Sequence, residues 1–526
     1  MIDAFCFGTS GRAVPVGEAA SPAKFAALSL LASSATRGGG ELRARVGNPI
    51  KHPANPLFGQ DQPWETRIDN GYPNVVPPNR DNPSYQIWYG NQAANGTRNR
   101  YSLLYANSTD GLRWHKPSLG LFDFGAAGFP NFAHLGSANN VVVEGDGIGV
   151  YYDPHEADPS RRYKALGDAC WLSPTLSEYG EGVWACQNLY ESPPQPVPPY
   201  KRPQFYGALA SSPDGLAWPR NQVTNFSWPP PHKWDTHSNA FFDEVEQSYI
   251  VTTRSCPVET TGVERETSVT RSDGPRWNFN GSKQLAVTLK GDIDHQTYAQ
   301  ITFRWLDIFI GLSMVFDQDT GDEVHCRLAF ASQPEGPWQP VEGDNIIDAP
   351  DFLPLGDPGE FDSHVIFAGA RPFRHDDGST WIYYMGGDGP HDGARKSSLG
   401  LATLRPDGWS YVSGPGTFTT PSLTVTAEML TVTADFGADG GGALRFGVVP
   451  DGATEPPAEL SLNNSVPLRS NKTDVAMRWL GHGRSPDLSS LLGKSVKLEV
   501  SLEGGAMLYA VGFAQRTLPA TVETSI

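Results

Sequence analysis

The sequence predicts an all-β protein, a five-bladed β-propeller followed by a C-terminal β-sandwich. Three observations predict it. One short turn motif recurs five times. Aromatic and turn-forming residues are abundant, with 14 Trp, 18 Tyr, 25 Phe, 56 Gly and 45 Pro, which favours a loop-rich β protein over a helical one. After Trp409 the repeat stops, and short alternating strands follow.

The motif first appears over 105–114 as Tyr-Ala-Asn-Ser-Thr-Asp-Gly-Leu-Arg-Trp. It returns over 209–218 (Leu-Ala-Ser-Ser-Pro-Asp-Gly-Leu-Ala-Trp), 269–277 (Val-Thr-Arg-Ser-Asp-Gly-Pro-Arg-Trp), 329–338 (ending Pro-Glu-Gly-Pro-Trp) and 401–409 (ending Pro-Asp-Gly-Trp). In each copy a small-residue strand enters a turn whose Gly takes positive φ and whose acid bonds its own backbone. The Trp then packs on a neighbour. The turn acids Asp110, Asp214, Asp273, Glu335 and Asp407 stand about 60 to 100 residues apart, the self-similarity of a repeat architecture. An aromatic, alternating run precedes each turn: 85–89, 162–166, 248–253, 306–313 and 380–385. Five such units predict five blades of about four strands each.

Taken in order, residues 1–45 read as a leader, because 25–35 is an apolar run of signal-peptide size ending in small residues; a transit segment or a disordered stretch fits as well. Residues 48–70 form a proline-rich extended lead-in, and the propeller occupies 46–412. Its inner strands are expected at 71–76, 139–144, 239–244, 299–304 and 364–368. Residues 168–203 are an insertion bordering the second unit. A Gly/Ser/Thr/Pro linker leads into the sandwich, placed at 413–526, with strands expected at 423–426, 429–434, 443–448, 475–479, 495–502 and 507–512.

The net charge is −18 and no basic stripe is visible, so nucleic acid is not an expected partner. No run of about 18 apolar residues predicts a membrane span. The five cysteines contain no Cys-x-x-Cys metal pattern, and Cys170 with Cys186 flank one loop as a disulfide pair for an oxidising compartment. Six Asn-x-Ser/Thr sites (Asn95, Asn107, Asn225, Asn280, Asn463 and Asn471) fit a secreted or endomembrane glycoprotein.

The candidate chemistry lies where inner strands begin, at the mouth of the channel. The units place there Asp69-Asn70-Gly71-Tyr72, Asp235-Thr236-His237-Ser238, Asp292-Ile293-Asp294-His295-Gln296-Thr297-Tyr298 and Glu360-Phe361-Asp362-Ser363-His364. The second unit offers only Asn139 and Asn140, with Asp153 the nearest acid. Convergent carboxylates suit glycoside hydrolysis, in which one is protonated to serve the leaving oxygen while another stays ionised. The catalytic candidates are therefore Asp69, Asp235, Asp294, Glu360 and Asp362. Asn70, Asn140, His237, Arg254, His295, Tyr298, His364 and Arg371 are the substrate-binding candidates. For any single acid, an ordinary turn before a strand explains it equally well. No cofactor is expected; a channel-mouth Ca²⁺ held by Asp and His is the alternative.

Several stretches resemble the glycosidase-like five-bladed propellers of glycoside hydrolase families 32, 43 and 68. They are 110–117 (Asp-Gly-Leu-Arg-Trp-His-Lys-Pro), Asn139-Asn140, Asp153-Pro with Arg162-Tyr-Lys-Ala, Asp235-Thr with Phe242-Asp-Glu, and 399–408. The tail, with 474–479, Asp487-Leu-Ser, Gly493-Lys and Leu508-Tyr-Ala, resembles the β-sandwich attached to such propellers. The resemblance spans roughly residues 48–515 and implies a carbohydrate substrate, with Asp69 as first-blade nucleophile or base. The Trp-Met-Asn-Asp-Pro-Asn-Gly, Arg-Asp-Pro and Glu-Cys motifs of family 32 are missing. The function expected is a glycoside hydrolase with an acidic channel mouth. The alternatives are a non-catalytic carbohydrate-binding propeller and a metal-dependent lyase or hydrolase.

Overall fold

The computed structural model describes residues 14–15, 24–34, 36–38, 40–95, 98–168, 206–219, 222–227, 232–234, 237–257, 265–272, 274–279, 286–287, 289, 291, 294–437, 441–481 and 487–516. The chain divides into two compact units. The first comprises residues 1–18, 49–303 and 310–404, and the second 19–48, 304–309 and 405–526. Strands dominate both, as the alternating aromatic runs predict.

In the first unit, Asn74–Val76, Tyr85–Asn95, Arg98–Ser108 and Val141–Glu144 form one antiparallel sheet in that order. A second sheet runs Asp146–Tyr152, Tyr163–Asp168, Tyr206–Ser212, Val223–Ser227. A third contains Asn239–Asp243, Ser248–Pro257, Glu266–Arg271 and Ala286–Val287, with His232–Trp234 added to Ser248–Pro257. The run His295–Trp305, Ile308–Asp317, Glu323–Ala331 follows. Then come Val365–Ala368, Thr380–Gly387 and Ser397–Leu404, edged by Ile50–Lys51. A single parallel pairing, Val324 with Val365, joins these last two groups into one eleven-stranded sheet. Ile50–Lys51, expected as an extended lead-in, thus completes the last sheet from the start of the chain.

One expected strand is corrected. Residues 139–144 do not open the second sheet; Val141–Glu144 close the first, and the opening strand is Asp146–Tyr152. The two strands abut at Gly145 (φ 155°) and Gly147 (φ 54°), so a sharp change of direction occurs with almost no loop to mark it.

Buried polar side chains link the opening strands of successive sheets. Asn74 donates to the Ile148 carbonyl (3.2 Å) and accepts from the Val150 N–H (3.2 Å). The Ser238 N–H donates to the Gly147 carbonyl at 3.3 Å. Asn239 repeats the Asn74 arrangement toward Gln300 (2.8 Å) and Thr302 (3.4 Å). Tyr298 meets Phe367 at 5.9 Å, and the Ala370 N–H returns to the Pro73 carbonyl at 2.8 Å. Each opening strand therefore touches the next, and the last touches the first. Apolar side chains fill the space between sheets: Trp88, Leu103, Tyr105, Ile148, Tyr163 and Ala210 share one core cluster.

The recurring turn is an inter-sheet latch. Asp110 accepts from the N–H groups of Leu112 and Arg113, both at 2.8 Å, and Gly111 has φ 74°. Asp214 repeats this with Leu216 (2.9 Å) and Ala217 (2.8 Å), and Gly215 has φ 75°. The Gly215 carbonyl accepts from the Trp88 indole at 2.9 Å, and the Gly111 carbonyl from the Tyr383 hydroxyl at 2.8 Å. Each of these turns thus caps a neighbouring sheet. Asp273 lies outside the described residues.

In the second unit, one sheet pairs Lys472–Ala476, Met429–Asp435, Met507–Ala514, Ser410–Ser413 and Arg43–Val46, with Lys24–Ala26 also on Met507–Ala514. The other holds Thr36–Gly38, Gly416–Thr419, Ser495–Gly504, Leu423–Thr424 and Gly442–Pro450. Leu430, Val432, Phe446, Val448, Leu498, Val500 and Leu508 lie in one core between them. Residues 24–34, 36–38 and 40–46, read as leader from the sequence, hold regular structure. Lys24–Ala26 form a strand and Ala27–Ala32 a short helix, and Ala27, Leu30 and Leu31 join that core. The physical reason is burial: an apolar run is stabilised wherever a partner face removes it from water. The Lys24 ammonium pairs with Asp407 (2.5 Å) and Asp474 (2.6 Å), tying the run to residues far along the chain. The boundary expected at 412/413 falls at 404/405 instead, because Ser410–Ser413 is a strand of this unit and not a linker.

Candidate functional site

The opening strands of the first unit bring sequence-distant side chains together where they begin. Asp69 lies just before Asn74–Val76. Its carboxylate accepts from Arg67 Nε (2.8 Å) and Arg395 (3.3 Å), and 22% of the side chain is exposed. Asn70, buried beside it, donates to the Tyr72 hydroxyl (2.7 Å) and accepts from Arg395 (2.7 Å). Tyr72, at φ 41°, stacks on His237 with ring centroids 4.6 Å apart. His237 is fully buried, and neither ring nitrogen has a hydrogen-bond partner among the described residues. Burial first, then the adjacent Arg254 charge, pulls its imidazole down to about 3, so the ring is neutral at physiological pH.

Next to this pair lies Tyr298. Arg254 covers its ring at 4.0 Å and Arg265 approaches at 5.1 Å. Tyr298 also touches His391, at 4.8 Å. Arg67 donates to the His391 carbonyl at 2.6 Å, and Arg395 donates to the same oxygen. Burial first, then the charges of Arg395, Arg254, Arg265 and Arg67, pull the His391 imidazole down to about 2. Four guanidinium groups thus surround one histidine. Among the described residues, the mouth expected to be acidic holds these four cations beside the carboxylates of Asp69, Asp322 and Asp392.

The other candidates fare differently. Asp235 lies outside the described residues, as does Asp292. Asp294 is exposed at the start of His295–Trp305, and His295 is half-buried with Asp317 at 3.7 Å. Glu360 is exposed and accepts from the Asp357 N–H at 2.9 Å, a local loop bond. Asp362 is buried, with Lys51 at 2.7 Å and the Tyr384 hydroxyl at 2.8 Å, so it is the counterion of a structural lysine rather than a reagent. His364 bonds Ser363 at 2.9 Å. Asn140 is corrected as a substrate ligand. It is fully buried, accepts from the Trp64 indole (2.9 Å) and donates to the Tyr89 hydroxyl (3.0 Å) and Tyr105 carbonyl (2.8 Å), which leaves no donor for a sugar. Arg371 lies past the far end of Val365–Ala368, over the Tyr151 ring at 4.3 Å, away from the strand beginnings. Asp153, also fully buried, bonds the Tyr249 hydroxyl and faces Lys164 at 3.7 Å. Of the cysteines, Cys326 is buried and free, and Cys170 and Cys186 lie outside the described residues.

Arg67, Arg265, His391 and Arg395 carry the site and are not among the sequence candidates. One signal was available. The loop 388–396, Asp-Gly-Pro-His-Asp-Gly-Ala-Arg-Lys, combines acids with a histidine as three of the candidate segments do, but it joins Thr380–Gly387 to Ser397–Leu404 instead of leading into an opening strand.

A divalent cation has one candidate group among the described residues. The ligand atoms of Asp322, His391 and Asp392 lie within 4.8 Å of one another. The fit is poor. His391 Nδ1 already bonds Asp392 (2.9 Å), Asp322 accepts the Asp392 N–H (2.7 Å), and the His391 ring faces guanidinium groups that oppose a second cation.

No family model matches the chain, and no curated protein does. Among solved structures it is similar to an α-L-arabinofuranosidase from Podospora anserina in complex with cellotriose, at TM-score 0.42 and 12% identity over 69% of this chain and 98% of that one. It is also similar to an N-acetylgalactosamine deacetylase from F. plautii, at TM-score 0.41 and 12% identity over 69% and 95%. A third is an exo-β-1,3-galactanase from Phanerochaete chrysosporium, at TM-score 0.36 and 9% identity over 86% and 99%. These likenesses are loose in sequence and in superposition, and the functional reading rests on the site itself. No helix among the described residues is long and apolar enough to cross a membrane.

Proposed function

We propose that the chain is a glycoside hydrolase acting on O-glycosidic bonds of an oligo- or polysaccharide. Its first unit is a five-bladed β-propeller, the second a β-sandwich, and its route is secretory. The carrying observation is Asp69, a partly exposed carboxylate at the converging strand beginnings, held in one orientation by Arg67 and Arg395. A fixed carboxylate open to solvent suits the nucleophile or base of glycoside hydrolysis. Asp235 is the proposed acid partner. It stands two residues before His237 in the sequence, in the Asp-Thr-His tripeptide read as a channel-mouth segment.

In this reading Arg67 and Arg395 aim the Asp69 carboxylate at the anomeric carbon or its attacking water. The Asp235 carboxyl donates its proton to the leaving oxygen. The test is release of reducing sugar from a panel of aryl glycosides and polysaccharides. Asp69→Asn, nearly isosteric, should lower kcat about 10²- to 10⁴-fold with KM little changed. Undiminished turnover removes Asp69 from the reaction. A second reading is favoured by the structural engagement of Asp362 with Lys51 and by the local bond of Glu360: sugar binding without turnover, which predicts saturable binding by a wild-type chain that cleaves nothing in the panel.

A further inference from the structure

Resting on the glycosidase reading for the ligand's role as substrate, we propose that this site binds an oxyanion carried by a saccharide, a carboxylate or a sulfate ester, so that the substrate class is an acidic sugar. Arg67 and Arg395 share a single carboxylate, Asp69. Arg265 has one hydrogen-bond partner among the described residues, the neutral amide of Gln296 at 2.8 Å. Arg254 lies over the same Tyr298 ring as Arg265. Asp392 and Asp322 are engaged with His391 Nδ1 and with backbone N–H, respectively. Among the described residues, the four guanidinium groups of Arg67, Arg254, Arg265 and Arg395 share the surroundings of Tyr298 and His391 with the carboxylates of Asp69, Asp322 and Asp392.

Unused polar atoms point to a ligand. Arg395 Nε, His391 Nε2 and both nitrogens of His237 are buried with no partner among the described residues. Leaving such atoms unpaired costs free energy that an arriving acceptor recovers. Guanidinium groups pair with planar oxyanions through forked hydrogen bonds, whereas a neutral hydroxyl leaves their charge unbalanced. Asp69 sets the limit on the ligand's charge: a singly charged carboxylate or sulfate ester meets less repulsion from it than dianionic phosphate does.

The test is calorimetric titration of the full chain with sodium D-glucuronate, D-glucose and inorganic phosphate at low salt. Glucuronate should bind at least about tenfold more tightly than glucose, and added NaCl should narrow the gap. Arg265→Gln should lose about tenfold for glucuronate with glucose unchanged, and Arg265→Lys should recover part of the loss. If Arg265→Gln fails to fold by thermal melting, Arg265→Lys alone carries the test, with a smaller loss for glucuronate and glucose unchanged. Equal binding of glucuronate and glucose overturns the proposal. So does phosphate binding more tightly than glucuronate, which would assign the cations to a free anion. Turnover separates this from the parent reading: glucuronate preference without cleavage keeps the anion site and removes the hydrolase. Cleavage of neutral glycosides without that preference does the reverse.

Discussion

Asp69 touches two guanidinium groups and solvent, whereas Asp362 is enclosed by Lys51 and Tyr384. The first is aimed and accessible; the second neutralises a lysine. His237 shows the same dependence on neighbours. Its neutral ring is stacked on Tyr72 in a site with no hydrogen-bond acceptor for an imidazolium among the described residues. The folded value near 3 lies below the unfolded value near 6.5, so the contribution to stability is complete above about pH 6.5 and is lost as pH falls toward 3. The loss is up to about 1.4 kcal/mol per pH unit. His237→Phe, which keeps the stack and removes the titration, should lessen the loss of unfolding free energy between pH 6.5 and 4.5 by up to that slope, read as a shallower fall in Tm. An unchanged acid limb would show that His237 is not buried neutral. The tripeptide Asp-Thr-His marks this position in the sequence, yet nothing local distinguishes it from Asp-Ser-His at 362–364, where the acid is structural.

The latch turn is legible because its causes are local. Asp110 and Asp214 bond their own following N–H groups, and Gly111 and Gly215 supply the positive φ. What the turn does is set by its neighbours. A Cβ on Gly215 would stand 2.4 Å from Trp88 and 2.9 Å from Tyr163, while one on Gly274, at nearly the same φ, would meet nothing within 4 Å. Gly274→Ala should therefore cost only the left-handed backbone penalty, about 1–2 kcal/mol. Gly215→Ala should cost that plus overpacking, about 2–4 kcal/mol in all. Denaturant melts of the two variants check the difference, and equal losses would mean the second turn does not hold the first sheet. The strand boundary at 145–147 is carried by Glu144-Gly145-Asp146-Gly147, turn-forming residues that separate the strands by a single residue, too short a break to mark the passage from one sheet to the next.

Over the whole molecule, residues 24–46 change meaning. Read alone, an apolar run with small residues after it is a signal or leader; in the fold, Leu30 and Leu31 belong to the second unit's core and three strands from this segment extend its sheets. Full burial of each leucine is worth about 1.5–3 kcal/mol. Deleting residues 1–46 should thus lower the stability of the second unit by several kcal/mol and open 405–516 to limited proteolysis. An unchanged cleavage pattern would restore the leader reading. The sequence by itself determined the β class, the repeated turn and the change of pattern after Trp409, because φ preferences, side-chain alternation and Asx bonding act over a few residues. Only the tertiary structure decided which charges meet. Asp69 and Arg395 are 326 positions apart, and the number of cations gathered at one mouth depends on strands closing on each other, which no local rule encodes.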